Sequence, residues 1–145
     1  MIGGLIIAFS GCSRPTLPPQ TFADINKDKI SDAIYVRKFY NTNQFKGSGI
    51  PHYEVLVSLG RVDGKFKEPR RIAEFVGGKI SNLEVKDLNN DGNLDISFLR
   101  KFYNTNQFKG SGIPHYELRT VLGNGDGTFK ESEIAISYGT GSSSQ

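Results

Sequence analysis

The chain has 145 residues, room for one domain of ordinary size. Its 37% hydrophobic content feeds a modest core and excludes wholesale disorder, while 17 glycines against one methionine point away from a helical bundle. A net charge of +3, with its bases scattered from Arg14 to Lys130, excludes the basic stripe of a nucleic-acid binder, and one cysteine excludes a disulfide framework or thiol metal cage.

Taken in chain order, the first element is a short apolar run, Ile2 to Phe9, followed by the small residues Ser10-Gly11 and then Cys12. It falls well short of the ~20 residues of a membrane helix and has the size of a signal-peptide core. Ser10-Gly11-Cys12 resembles the bacterial lipobox, which implies a lipid on Cys12 and removal of residues 1–11. Phe9 in place of an aliphatic residue and the lack of a preceding Lys or Arg depart from that pattern. The alternative is an ordinary N-terminal strand with a core cysteine. Residues 12–21, with Pro15, Pro18 and Pro19, read as an extended tether. Ser13, not Asp, follows the cysteine; by the same resemblance this favours the outer over the inner membrane.

The rest of the chain repeats itself. Arg37 to Glu54 recurs without change as Arg100 to Glu117, and across residues 24–68 and 87–131 a total of 29 of 45 aligned positions are the same. Two copies of one unit are therefore expected, repeat 1 over 22–84 and repeat 2 over 85–138. In each, an Asp-rich loop precedes a strand, Ala33 to Val36 or Ile96 to Leu99. A long polar loop follows (Asn41 to Pro51, Asn104 to Pro114), then a second strand over Tyr53 to Leu59 or Tyr116 to Leu122. Asp63-Gly64 and Asp126-Gly127 read as turns. Phe66 and Phe129 are expected to open a third strand, continued by Ile72 to Phe75 and Ile134 to Ile136. Lys79 to Lys86 reads as a fourth strand leading into the second Asp loop. No segment carries a sustained helical period. The tail, 139–145, is Gly/Ser-rich and reads as disordered.

The Asp loops carry the chemistry. Asp87, Asn89, Asp91 and Asp95 place side-chain oxygens at loop positions 1, 3, 5 and 9, and Gly92 at position 6 permits a sharp turn. Asn93 at position 7 can offer its carbonyl. A hard cation that takes six to eight oxygens is served by such a loop, and calcium is the expected ion. The competing reading is an Asx-rich turn that bonds only its own backbone. Asp24, Asn26, Asp28 and Asp32 repeat the four oxygens, with Ile30 at the carbonyl position, but Lys29 replaces the glycine. A side chain where φ is positive, together with the charges of Lys27 and Lys29, makes this the weaker site. Ile25, Leu88 and Leu94 read as packing anchors. An EF-hand needs a bidentate Glu at position 12, where Tyr35 and Phe98 stand, and a dockerin needs a helix where strand formers follow.

Asp87-Leu-Asn-Asn-Asp-Gly-Asn-Leu-Asp95 followed by Val121-Leu-Gly-Asn-Gly-Asp-Gly-Thr-Phe129 resembles the FG-GAP/VCBS repeat family over about residues 22–138. The resemblance implies an all-β fold of two antiparallel β-propeller blades, too few to close a standard ring alone. It also implies calcium ligands at Asp87, Asn89, Asp91, Asn93 and Asp95, with Asp24, Asn26, Asp28, Ile30 and Asp32 in the first copy.

The function expected is a lipid-anchored, calcium-stabilised, non-catalytic binding or adhesion module of the bacterial cell envelope. Its ligand is a protein or glycan, not nucleic acid. The contact surface is the repeated loop with Tyr40, Phe45, Lys46 and His52, and their copies Tyr103, Phe108, Lys109 and His115; the alternative is that these aromatics pack on their own blade. A hydrolase or accessory enzyme domain is the alternative function, opposed by the doubling of every polar cluster. Because Thr16 to Ala23 holds two prolines and reads as a poor strand, one blade is expected to lack a strand. Self-association, or completion by another propeller-forming chain, would then cover the open edge.

Overall fold

The computed structural model describes residues 19–40, 50–103 and 114–139. Among them there is no helix. The strands are β1 (Gln20–Ala23), β2 (Asp32–Tyr40), β3 (Pro51–Ser58), β4 (Arg70–Val76), β5 (Lys79–Lys86), β6 (Asp95–Tyr103), β7 (Pro114–Val121) and β8 (Glu133–Gly139). They form two four-stranded antiparallel sheets in chain order, β1-β2-β3-β4 and β5-β6-β7-β8. The expected all-β fold of two blade-like sheets is the fold observed.

Several expectations need correction. No strand is missing from the first sheet: β1 pairs with β2 from Gln20↔Tyr35 to Ala23↔Asp32. The adjacent Pro19 does no harm because β1 is an edge strand and Pro19 uses only its carbonyl, which accepts a bond from the Val36 amide at 3.0 Å. The last residues of the tether region 12–21 thus belong to the sheet. Nor do Phe66 and Phe129 open a strand. Each makes an isolated bridge, to Gly60 and Gly123, that closes the Asp-Gly turn, and β4 and β8 begin only at Arg70 and Glu133. The sheets are also phased differently from the repeat as read in sequence. Lys79–Lys86 is a strand, but it is the first strand of the second sheet, so the division at 84/85 falls inside β5.

The two sheets pack face against face, and the repeat makes the contact directional. From β2, Ile34 and Val36 point to the second sheet and are buried, joined by Val55, Val57 and Ala73 from β3 and β4. From β6, the buried residues are Ile96 and Phe98, which occupy the places of Ala33 and Tyr35. One face of the first sheet therefore meets the opposite face of the second. Together with Ile25, Ile80 and Val121 these side chains form a single core cluster. β1 and β5 lie side by side.

Phe75 of β4 is the main anchor across the interface. Its ring meets Phe98 edge-on at 5.8 Å, with the guanidinium groups of Arg100 and Arg119 at 4.8 and 4.9 Å from its centroid. Burial between the sheets lowers the pKa of Arg100, and Glu117 counters the shift. The sheets are joined by Gly77-Gly78, both at positive φ, and a Cβ on Gly78 would strike the carbonyl oxygen of Lys101.

Candidate metal centre

Each Asp loop joins the first two strands of its sheet, at the same end of the fold. The two loops share the same bonds from backbone amides to carboxylates. In the second, Asp87 accepts from the amides of Asp91 (3.1 Å) and Gly92 (2.7 Å), and Asp91 accepts from the Asn93 amide (2.9 Å). In the first, Asp24 accepts from Asp28 (3.0 Å) and Lys29 (2.6 Å), and Asp28 from Ile30 (2.9 Å). Gly92 has φ +88° and Lys29, in the matching place, has φ +71°. A lysine is thus held in the left-handed conformation that the sequence assigned to a glycine. Position 4 is left-handed too, at Lys27 and Asn90, both with φ +65°. That second demand was not read from the sequence. The asparagine at position 90 was its one signal, since Asn tolerates this region better than most residues.

The aspartate at position 9 is different in kind. Asp32 and Asp95 are fully buried, and each clamps the loop at both ends. Asp95 accepts from the Leu88 amide and, 28 residues along the chain, from the Gly123 amide, both at 2.8 Å. Asp32 does the same with Ile25 (2.7 Å) and Gly60 (2.8 Å). This explains why the Leu-Gly-x-x-Asp-Gly string accompanies the Asp loop. A Cβ on Gly60 or Gly123 would collide with the carbonyl oxygen of Ser31 or Leu94, so only glycine lets the turn dock on the loop. Gly60 and Gly123 are site residues that sequence reasoning passed over; their recurrence in the Leu-Gly string was the available signal.

The turns themselves follow expectation. Gly64 and Gly127 lie at φ +85° and +95°. Asp126 accepts from both the hydroxyl and the amide of Thr128, which holds its carboxyl below the ordinary aspartate range.

In the second loop, carboxylate oxygens of Asp87, Asp91 and Asp95 lie within 4.8 Å of one another, the one such trio among the described residues. Oxygens bound to a common calcium at 2.3–2.6 Å can be no more than about 5 Å apart, so the trio fits one cation. A carboxylate oxygen has two lone pairs, and the backbone bonds occupy one. Asp91 is held below the ordinary aspartate range, chiefly by the Asn93 amide, and so stays ionised. In the first loop, Asn26 turns its Nδ2 to Asp28 and leaves its buried Oδ1 without a hydrogen-bond partner. A buried acceptor left bare at a ligand position suits a cation. The donor set, all oxygen and strongly anionic, suits calcium better than a softer metal.

The residues expected to touch a ligand lie at the other end of the strands. Tyr40 and Tyr103 are half exposed, with the ammonium groups of Lys38 and Lys101 at 5.4 and 5.6 Å from their rings. Hydrogen bonding to those tyrosines raises both lysines' pKa. His52 and His115 stack instead on Phe39 and Phe102, their partners across the strands, at 5.1 and 5.4 Å. Phe45, Lys46, Phe108 and Lys109 lie outside the described residues, as do Cys12 and the tail after Gly139.

Compared with known proteins, the chain matches no family model, no curated protein and no solved structure.

Proposed function

We propose that this chain is a calcium-stabilised, non-catalytic β-repeat module of the FG-GAP/VCBS kind, held at the bacterial cell envelope by a lipid on Cys12 and binding a protein or glycan. The observation that carries the reading is the convergence of Asp87, Asp91 and Asp95 in a loop built twice to one plan. Asp87, Asn89, Asp91 and Asp95, with the Asn93 carbonyl, would hold the ion in the second loop. Asp24, Asn26, Asp28 and Asp32, with the Ile30 carbonyl, would hold it more weakly in the first. The ion neutralises carboxylates that otherwise repel one another and fixes the loops against the docked turns. Its role is structural, and the surface offered to a ligand is the end of the strands around Tyr40 and Tyr103, roughly 25 Å away along β2 and β6.

Isothermal titration of calcium into metal-free protein tests the reading. It predicts two classes of site, the tighter one lost in Asp87→Ala; a featureless titration of folded protein would exclude it. The anchor has its own test. Mass spectrometry of protein made from the full-length gene in a Gram-negative host should find an acylated Cys12 at the N-terminus, and a chain still starting at Met1 would count against it.

A further inference from the structure

We propose that copies of this chain associate head to tail, the outer face of the second sheet of one copy packing on the outer face of the first sheet of the next. The template is the contact already inside the chain. There the inward face of the first sheet meets the opposite face of the second, so each sheet leaves outward the face that its counterpart uses inward. A contact between unlike faces can repeat from copy to copy.

The outward face of the second sheet keeps much of the apolar pattern of the buried one. Ile25 is 1% exposed between the sheets, whereas Leu88, its counterpart in the second loop, is 37% exposed. Ala73 is 9% exposed, and Ile136, which pairs with Leu118 as Ala73 pairs with Val55, is 55% exposed. The outward face of the first sheet shows the complement. Phe22 is 55% and Phe66 46% exposed, their rings 6.5 Å apart, while Val85 and Phe129 in the same places pack on the core cluster.

The polar anchor is repeated as well. Arg100 lies between the rings of Phe75 and Phe102, paired with Glu117, its side chain 14% exposed. Arg37 has the same pairing with Glu54 and the same neighbour in Phe39, but its side chain is 57% exposed and no second ring among the described residues caps it. Ser97 and Thr120 stand where the inner face has Ile34 and Val57, which makes contact between copies weaker than contact within one.

Sedimentation of the chain made without its lipid, with calcium and under reducing conditions so that the free Cys12 thiol cannot cross-link copies, tests the proposal. The wild type should exceed monomer mass as concentration rises through the micromolar range. Phe22→Glu and Ile136→Glu each spoil one face and should weaken association at least tenfold, because each puts a charge where an apolar side chain would be buried. Mixed in equal amounts, the two variants should form a dimer and stop there, since one pair of intact faces remains. Both side chains are exposed, so the strand spectrum should be kept; Leu88→Ser replaces Ile136→Glu if it is not. A wild type that stays monomeric throughout would overturn the proposal and leave both faces to another chain. So would F22E that still self-associates as strongly as wild type, because the contact would then use one face twice.

Discussion

Lys29 carries a conflict that its own loop makes measurable. The loop needs a left-handed residue at position 6, and a lysine there, at φ +71°, bears a backbone cost of about 1 kcal/mol that Gly92 avoids. Its charge also lies beside the oxygens meant for a cation. Lys29→Gly should therefore raise stability by roughly 0.5–1 kcal/mol in urea unfolding and tighten calcium binding at the proposed first site toward that of the second. A loss of stability would mean that the Lys29 side chain makes contacts worth more than its backbone strain.

At this scale the geometry of the loops was largely legible, because oxygen spacing and a positive-φ position are local properties. What was not legible came from turns far along the chain. The bonds from Asp32 to Gly60 and from Asp95 to Gly123 span 28 residues, and nothing in either loop announces them.

Strands were read where β-branched and aromatic residues run together, as in β2, β3, β6 and β7, and missed or misplaced where tertiary pairing overrides composition. β1 is four residues beside two prolines; it forms because β2 presents a free edge and needs from Pro19 only a carbonyl. Phe66 lies in no named strand, since the docked turn takes up the chain from Gly60 to Phe66. Leu88 was read as an anchor by analogy with Ile25, yet it is exposed, because burial here depends on which side of the sheet has a neighbour.

The same dependence gives β4 its importance. Phe75 supplies the ring on which Phe98, Arg100 and Arg119 converge, so Phe75→Ala should cost about 2–4 kcal/mol in denaturant unfolding. A cost below about 1 kcal/mol would show that other contacts hold the two sheets together.

For the whole molecule, an internal repeat with one face of each unit buried against the opposite face of the next has no natural end, and its stability rests on how well each unit holds its own shape. The two units share one small core, and each has one loop crowded with carboxylates. The loops lie where the strands begin and tie the Leu-Gly turns to them through Asp32 and Asp95. Cation binding, as proposed, would therefore be linked to fold stability: an ion that binds the folded loops and not the unfolded chain must stabilise the fold by mass action.

The most direct measurement of that linkage is the melting temperature of the metal-free protein, followed by calorimetry as calcium is added to millimolar concentration. A clear rise in Tm is expected, with Asp91→Ala abolishing most of it and leaving only the contribution of the first loop. A protein shown to be folded whose Tm does not move with calcium would contradict the account.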